Sequence, residues 1–243
     1  HFTLCDVTSS SALNRWYLGF KRLFDIAMSL AAILVASPLF LLTTLLVAFD
    51  VGTPLLFRQQ SPGRYGYRFK VYKFRTKKAA HDKNGHRLPD EKRTSAIGRF
   101  IRRTRLDELP QLFNILAGQM SFIGPRPLLP IDQAKEQSAR LAVRPGLSGW
   151  AQVNGGRELT IADKAAMDIW YVYNASFILD MKIILATLYM VVFGERPNPR
   201  VVKDAWQYLR KLAAPKALTS SEQHSLSQSS LSTPTPMFSN GPL

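Results

Sequence analysis

The stretch IAMSLAAILVASPLFLLTTLLVAF, residues 26–49, contains no charged side chain over 24 consecutive positions. About 20 apolar residues in an α-helix suffice to cross the hydrocarbon core of a bilayer. The stretch is therefore long enough to span a membrane, and it is longer than the apolar part of a cleavable signal peptide. It predicts a membrane helix around which the rest of the fold is arranged.

Two features bear on how this helix meets the membrane. Ser37 and Pro38 lie near its middle, where proline removes a backbone donor and is expected to kink or break the helix, and the serine can satisfy a freed carbonyl. Cations flank the stretch on both sides, with Lys21 and Arg22 before it and Arg58 after it. Such flanks favour the cytoplasmic side. A helix that enters one leaflet and returns satisfies both ends, and a kinked transmembrane helix is the equal alternative on these grounds.

The net charge of the 243-residue chain is +15, which predicts an anionic partner such as nucleic acid, anionic lipid or a phosphorylated substrate. Residues 51–110 contain 16 Lys and Arg but only five Asp and Glu, so most of the excess lies in one block. The single cysteine, Cys5, cannot form a disulfide within the chain and is typical of a reducing compartment. The four histidines are scattered in polar segments, so Cys and His predict no metal cluster.

The rest of the sequence predicts a mainly α-helical fold with a small β element, an α+β class. Turn residues followed by rough alternation predict a short strand or hairpin within residues 55–75, formed by Tyr67, Phe69, Val71 and the aromatics after them. Helices are predicted over residues 96–105, 110–118, 131–141, 160–173 and 177–193. The charged residues 77–95, the proline-rich residues 121–130 and residues 144–156 predict loops.

The chain is predicted to divide into four parts. These are a lead-in over residues 1–20 with a mobile polar start, the membrane helix over 21–50, a compact domain over 51–200 and a C-terminal extension over 201–243. The Ser-, Pro- and Thr-rich tail is predicted to be disordered after about residue 214.

Asp107 and Glu108 are adjacent carboxylates that follow several arginines in IRRTRLDELPQLFNILAG, residues 101–118. They precede a helix predicted to begin at Pro110, where acids stabilise the helix by roughly 0.3–1 kcal/mol, and Thr104 has capping-box spacing to Asp107. The same surroundings favour an ionised aspartate that can attack phosphorus beside a second acid that can hold Mg²⁺. Spacing alone favours the capping interpretation.

Other candidate residues are less specific. Lys73 and Arg75 are two positions apart in YKFRT, so on a strand both would face one side and could grip a diphosphate. Arg126 lies in the rigid GPRP turn, and Asp168 precedes IWYVYN. A solvated surface side chain is the more common explanation for Lys73, Arg75 and Asp168, and it is an equal alternative for Arg126. The sequence contains no Walker-type glycine loop and no Asp-x-Asp motif of nucleotide-sugar transferases.

Taken in order, the motifs resemble those of the bacterial sugar transferases that are monotopic polyprenyl-phosphate phosphoglycosyl transferases. The motifs are KRLFDI, the apolar run with Ser37-Pro38, YKFRT, LDELPQLFNIL, SFIGPRP, RPGLSGWAQVNG and DIWYV. The resemblance runs from about Lys21 to Glu195 in unbroken order. It extends to the small Campylobacter-type enzymes and to the catalytic domain of the larger Salmonella-type enzymes.

The resemblance implies that a UDP-sugar gives its sugar-1-phosphate to a polyprenyl phosphate, usually undecaprenyl phosphate, and that UMP is released. It implies a covalent aspartyl-phosphosugar intermediate, two half-reactions and Mg²⁺ as cofactor. The partners are then the UDP-sugar, the lipid acceptor and an anionic phospholipid membrane, with a homodimer also open and no nucleic acid beyond the nucleotide.

The resemblance also implies a re-entrant membrane helix broken at Ser37-Pro38, with interfacial amphipathic helices around a compact cytosolic catalytic domain. The active site is then expected on the cytoplasmic face of the bacterial inner membrane.

By position in the motifs, Asp107 matches the nucleophile and Glu108 the adjacent metal-binding acid. Lys73 matches the motif lysine, Asp168 the acid of the D-x-W-Y-V segment, and Arg102 and Arg126 the arginines that meet phosphate or nucleotide. Arg75 of YKFRT remains a candidate substrate-binding residue. Two departures stand out: NGGREL, residues 154–159, replaces the common NGRNAL near the expected sugar nucleotide, and the tail has no counterpart.

Two other functions remain open on the residues alone. A membrane-anchored nucleic-acid-binding or scaffold protein would use the basic block on phosphate backbones and would be indifferent to Asp107. A Mg²⁺-dependent membrane phosphohydrolase would release free phosphate without a lipid acceptor.

Overall fold

The computed structural model of the chain describes residues 2–3, 5, 7, 15–78, 88–89, 93–133 and 135–229. This part is mainly helical, with two small two-stranded sheets and one long apolar N-terminal helix, in agreement with the predicted α+β class.

The elements follow one another from the long helix to a C-terminal helix. They are α1 (Arg15–Asp50), β1 (Leu56–Pro62), β2 (Arg68–Phe74), α2 (Ala96–Arg103), α3 (Gln111–Leu116), β3 (Ser121–Ile123), β4 (Gly146–Ser148), α4 (Trp150–Val153), α5 (Ile161–Asn174), α6 (Phe177–Phe193) and α7 (Pro199–Ser229). Short 3₁₀ turns lie at Arg64–Gly66, Leu106–Glu108, Pro130–Asp132, Lys135–Ala142 and Gly156–Glu158.

Helix α1 is continuous over 36 residues, with Pro38 inside it. The Ser37 hydroxyl donates a hydrogen bond to the Leu34 carbonyl at 2.8 Å. Leu34 lies four positions before the proline, so the serine replaces the bond that Pro38 cannot donate. This role of Ser37 is confirmed. The helix is continuous through Ser37-Pro38, and the kink or break expected at the proline stays a prediction.

Among the described residues, one helix, Trp16–Asp50, is long and apolar enough to cross a membrane by length and composition. It begins before the predicted residue 21 because the mostly apolar residues 16–20 extend it. Many of its apolar side chains point away from the protein, with Val35 79% and Phe49 88% exposed. A continuous exposed apolar surface of this kind marks a contact with lipid or another protein.

Charged side chains attach the first half of α1 to the domain. Lys21 forms a buried ion pair with Asp180 of α6. The Arg22 guanidinium donates hydrogen bonds to the carbonyls of the last two residues of α3, at 2.6 and 2.7 Å. Asp25 accepts a hydrogen bond from the Phe122 amide of β3 at 3.1 Å.

Apolar packing attaches the second half of α1. Val47 is fully buried in a cluster with Phe74 of β2 and Ile101 of α2. Phe40 packs edge-on against Phe113 of α3, with ring centroids 5.7 Å apart. Both halves of the helix therefore contact the same body.

The two sheets differ in how far apart their paired strands lie along the chain. Strands β1 and β2 form an antiparallel hairpin with Leu56 opposite Phe74, which confirms the predicted hairpin. Strands β3 and β4 pair in parallel, with Ser121 opposite Gly146. This pairing was missed, because neither three-residue strand has a pattern of its own and the partners are distant in sequence. Gly146 suits the close approach, since a Cβ there would lie 2.1 Å from the Gly124 amide nitrogen.

The main apolar core lies among α5, α6 and α7, with Tyr171, Ile183 and Leu209 buried in it. Two residues near the N-terminus join this core: Phe2 packs against it, and Val7 is 1% exposed. The prediction of a mobile start is wrong for these two residues, because their apolar side chains are covered. Residues 8–14 lie outside the described part of the chain.

Several predicted boundaries are confirmed and others are corrected. Helices α5 and α6 confirm the predictions over 160–173 and 177–193. The predicted helix over 131–141 is instead two 3₁₀ turns, with Gln137 at a non-helical φ of −115°. Helix α7 continues to Ser229, past the predicted start of the disordered tail at 214. The closely spaced prolines that disfavour a helix begin only at residue 234, which lies outside the described residues.

Candidate active site

A cleft of about 420 Å³ lies among the turn Leu106–Glu108, β2 and helix α5. Its charged lining consists of six cations (Lys73, Arg102, Arg105, Arg126, Arg140 and Lys164) and four acids (Asp107, Glu108, Asp168 and Glu195). The volume is typical of a small-molecule site. The excess of cations suits a phosphorylated ligand.

The two adjacent acids lie on a 3₁₀ turn that precedes α3. Thr104 ends α2 by donating its hydroxyl to the Phe100 carbonyl at 2.9 Å, so the predicted capping box with Asp107 is wrong. Arg105, just before the turn, has the left-handed values φ 57° and ψ 18°. A non-glycine residue in this region costs about 1–2 kcal/mol, and here it directs the guanidinium toward Glu108.

Glu108 is surrounded by three cations. Its Oε1 lies 3.3 Å from Lys73 Nζ and 3.2 Å from Arg126 Nη2, and its Oε2 lies 3.5 Å from Arg105 Nη1. Burial raises the pKa of Glu108, but the positive charges of Arg126, Lys73 and Arg105 outweigh burial and hold this pKa below its ordinary value. Glu108 is therefore an ionised carboxylate in a fixed position.

Asp107 has a different environment. In the part of the chain that the structure describes, its side chain forms no ion pair and no hydrogen bond with another residue. Burial and the negative charge of Glu108 raise the pKa of Asp107 to about 6, against the opposing effect of Lys73 and Arg102. The cations favour the ionised form, as expected from the sequence, but burial has the larger effect on this pKa. At pH 7 about nine-tenths of the carboxyl groups are still ionised.

Asp168 is connected to Glu108 through two arginines. It is 4% exposed on α5 and pairs with Arg140 at 2.5 Å. Burial raises the pKa of Asp168, and Arg140 opposes this effect. Arg140 also donates a hydrogen bond to the Arg126 carbonyl at 2.8 Å. Asp168 therefore fixes the loop whose arginine contacts Glu108.

The structure brings together most of the residues that the sequence predicts for the site. Lys73, Arg102, Asp107, Glu108, Arg126 and Asp168 line one cleft.

Arg75 does not join them. Its guanidinium donates to the carbonyls of Val51 at 2.6 Å and Thr53 at 3.2 Å. Strand β2 ends at Phe74, so the alternation that would place Arg75 beside Lys73 does not continue. Arg75 thus contacts the backbone at residues 51–53 and is not among the residues that line the cleft, and its substrate-binding role stays a prediction.

Comparison with known proteins finds a match over nearly the same residues as the ordered motifs, which run from about Lys21 to Glu195. Residues 16–194 match the family model described as bacterial sugar transferase. The chain belongs to the bacterial sugar transferase family. The sugar transferase EpsL of Bacillus subtilis, named as uncharacterized, is 42% identical over 179 residues, which cover 72% of this chain and 88% of that protein.

Two larger relatives have names that state a reaction. The undecaprenyl-phosphate glucose phosphotransferase of Komagataeibacter xylinus is 38% identical over 199 residues, 75% of this chain and 37% of that protein. The undecaprenyl-phosphate galactose phosphotransferase of Salmonella typhimurium is 35% identical over 192 residues, 71% of this chain and 40% of that protein. This bacterial sugar transferase thus spans most of EpsL and about two fifths of the larger proteins.

Four charged residues that line the cleft of this sugar transferase were missed in the sequence: Arg105, Arg140, Lys164 and Glu195. Arg105 belongs to the run of cations before the two acids, and that run was the available signal. Arg140 and Glu195 have no such signal, because their partners lie 28 and 90 residues away along the chain.

The donor set of the cleft fits Mg²⁺. The described residues contain no group of three or more His, Cys, Asp or Glu side chains placed to hold a metal. Mg²⁺ needs only one or two carboxylates, however, and takes its other ligands from water and substrate phosphates. Asp107 and Glu108 supply two adjacent carboxylates. Glu108 Oε2, with Arg105 at 3.5 Å, retains lone pairs for a cation.

Proposed function

We propose that this bacterial sugar transferase moves a sugar-1-phosphate from a UDP-sugar to undecaprenyl phosphate and releases UMP. One observation carries the proposal: an aspartate without a fixed cationic partner lies beside a glutamate held by three cations, in a cleft rich in positive charge. The names of the Komagataeibacter and Salmonella relatives support this reaction class. The nucleic-acid-binding alternative has no such support.

In the first half-reaction, a carboxylate oxygen of Asp107 attacks the phosphorus that carries the sugar. The bond from this phosphorus to the UMP oxygen breaks, and UMP leaves with the bonding electrons. The sugar phosphate then remains on Asp107 as an acyl phosphate. Lys73, Arg102 and Arg126 line the cleft around the two adjacent acids and stabilise the charge on the phosphoryl oxygens.

In the second half-reaction, a phosphate oxygen of undecaprenyl phosphate attacks the same phosphorus. The bond from phosphorus to Asp107 breaks, which restores the carboxylate and forms the lipid diphosphate sugar. Glu108 would hold Mg²⁺ through Oε2, with Asp107 beside it. When bound, this cation would neutralise part of the negative charge of the diphosphate.

We place this reaction at the cytoplasmic face of the inner membrane, with α1 entering one leaflet, bending at Ser37-Pro38 and returning. Both halves of α1 contact one body, which supports this topology over a crossing helix. Helix α6 also exposes apolar side chains, with Leu185 67% and Val192 73% exposed, as an interfacial helix would.

The topology is tested by cysteine labelling in cells. In a Cys5→Ser background, Trp16→Cys and Arg58→Cys are treated with a thiol reagent that does not cross membranes, since Trp16 and Arg58 are exposed. Both sites are expected to be protected until the membrane is opened. Labelling of one site in intact cells would favour the crossing helix.

The reaction is tested with purified protein, Mg²⁺, undecaprenyl phosphate and a panel of UDP-sugars. At least one UDP-sugar is expected to give UMP, and Asp107→Asn is expected to lower this rate by about 10³-fold or more, because the nucleophile is lost. Asp204→Asn is the control, since Asp204 is an exposed acid on α7 outside the cleft. Intact mass spectrometry without acceptor should find one sugar phosphate on the wild type. Full activity of Asp107→Asn would refute the assignment.

A further inference from the structure

Glu195 follows directly after the family-matched region and lines the cleft. Its Oε1 accepts a hydrogen bond from Arg105 Nη2 at 3.0 Å. The other end of the same guanidinium, Nη1, lies 3.5 Å from Glu108 Oε2. Arg105 therefore bridges two carboxylates and is closer to Glu195 than to Glu108.

Gly156 makes this arrangement possible. A Cβ at this position would lie 2.7 Å from Glu195 Oε2, and the φ of Gly156 is +42°. A residue with a Cβ at this position would therefore be strained in its backbone and would displace the Glu195 carboxylate. The glycine of this chain thus fits the glutamate of this chain.

The segment that carries Glu195 is fixed to the same loop. The Asn198 amide donates a hydrogen bond to the Asn154 carbonyl at 3.1 Å. A Cβ at Gly155 would lie 3.1 Å from Pro197 Cα, so the two backbones are in contact. The backbone that carries Glu195 is therefore held beside this loop, within reach of Arg105.

We propose that Glu195 is a positioning residue that keeps Glu108 available to a divalent cation. A guanidinium tends to form a close, two-point pair with one carboxylate. Glu195 holds Arg105 away from that arrangement with Glu108, so Oε2 of Glu108 keeps lone pairs for the cation. Gly156 provides the space that Glu195 needs. This inference rests on the proposed function, in which Glu108 holds Mg²⁺.

The test is Mn²⁺ binding to the full chain in detergent, measured as free Mn²⁺ by electron paramagnetic resonance. Glu195→Gln keeps the shape of the side chain and removes its charge, so Arg105 is expected to move to Glu108. The Mn²⁺ affinity should fall roughly tenfold, as for other residues that orient a metal ligand. The Mg²⁺ concentration for half-maximal UMP release should rise by the same factor. Gly156→Ala should also lower the Mn²⁺ affinity and raise the Mg²⁺ concentration for half-maximal UMP release.

Two controls separate positioning from simple loss of negative charge. Glu158→Gln removes an exposed acid from the same loop and is expected to leave Mn²⁺ affinity unchanged. In an Arg105→Gln background, Glu195→Gln is expected to have no further effect. A further loss in that background would mean that Glu195 attracts the cation directly, which would overturn the inference.

Failure of the inference is distinct from failure of the proposed function. A wild-type protein that releases UMP but shows the same Mn²⁺ affinity as Glu195→Gln, or binds no Mn²⁺, overturns the inference alone. A wild-type protein that releases no UMP with any donor overturns the proposed function.

Discussion

Asp180 and Asp107 are both aspartates near cations, but their surroundings are opposite. Asp180 is 3% exposed and accepts hydrogen bonds from Lys21, from Tyr17 at 2.8 Å and from Tyr171 at 2.6 Å. Asp107 lines the cleft and has no such partner among the described residues. Its pKa is raised to about 6.

The difference separates a carboxylate that joins two parts of the fold from the carboxylate that we propose as the nucleophile. The oxygens of Asp180 are occupied by donors from α1 and α5, so this residue joins the long helix to the domain. Asp107 keeps its lone pairs, and the fold tolerates the cost of a partly buried charge without a fixed partner. Such local costs are typical of functional sites.

The largest effect is expected when Asp180 loses its cationic partner, Lys21. Lys21→Met leaves Asp180 buried without its ion pair, which is expected to lower the free energy of unfolding by about 3–5 kcal/mol. The measurement is thermal unfolding of the purified protein in detergent, followed by circular dichroism.

Two variants sharpen this result. Lys182→Met removes an exposed lysine from the same helix as Asp180 and should leave the unfolding temperature unchanged. Asp107→Asn should also leave it unchanged or raise it, because the cleft loses a poorly compensated charge. Equal unfolding temperatures for Lys21→Met and wild type would show that the ion pair does not anchor α1.

The sequence predicts the fold where local pattern is strong. Helices α5 and α6 follow from long apolar stretches, and the Ser37 bond to Leu34 follows from the chemistry of proline. The parallel pair of β3 and β4 does not follow, because it is set by contact between distant segments. The burial of Val7 depends on the same kind of distant packing.

The sequence predicts the site less evenly. Ordered motifs identify the neighbourhood of Asp107 and Glu108, although spacing alone favours helix capping. The spacing of charged residues in the sequence does not predict the pKa of Asp107, since this pKa depends on how far the side chain is buried. Arg140 and Glu195 enter the cleft only through tertiary contacts.

An intermediate effect is expected from pH, because Asp107 must be ionised to attack. Its raised pKa of about 6 means that activity is lost as pH falls through that value. Between pH 7 and pH 5 the ionised fraction falls from about 0.9 to about 0.1. The second-order rate constant for the single-turnover release of UMP should fall accordingly. The assay omits the acceptor, so that ionisation of the lipid phosphate does not contribute.

Arg102→Gln sharpens the pH result. Arg102 lowers the pKa of Asp107 through its charge, so the variant should move the midpoint to higher pH as well as lower the rate. An unchanged midpoint, or one near the ordinary pKa of an aspartate, would show that Asp107 is not the group that titrates.

The smallest effect on activity is expected at Arg75, whose charge supports the backbone at Val51 and Thr53. Arg75→Gln should keep kcat/KM within about twofold and lower the free energy of unfolding by about 1 kcal/mol. Lys73→Gln should instead lower kcat/KM by about 100-fold, because Lys73 lines the cleft and holds Glu108. A large loss of activity in Arg75→Gln with unchanged stability would instead support a substrate-binding role for Arg75. The two variants thus test whether the end of β2 at Phe74 separates a residue that serves the fold from one that serves the reaction.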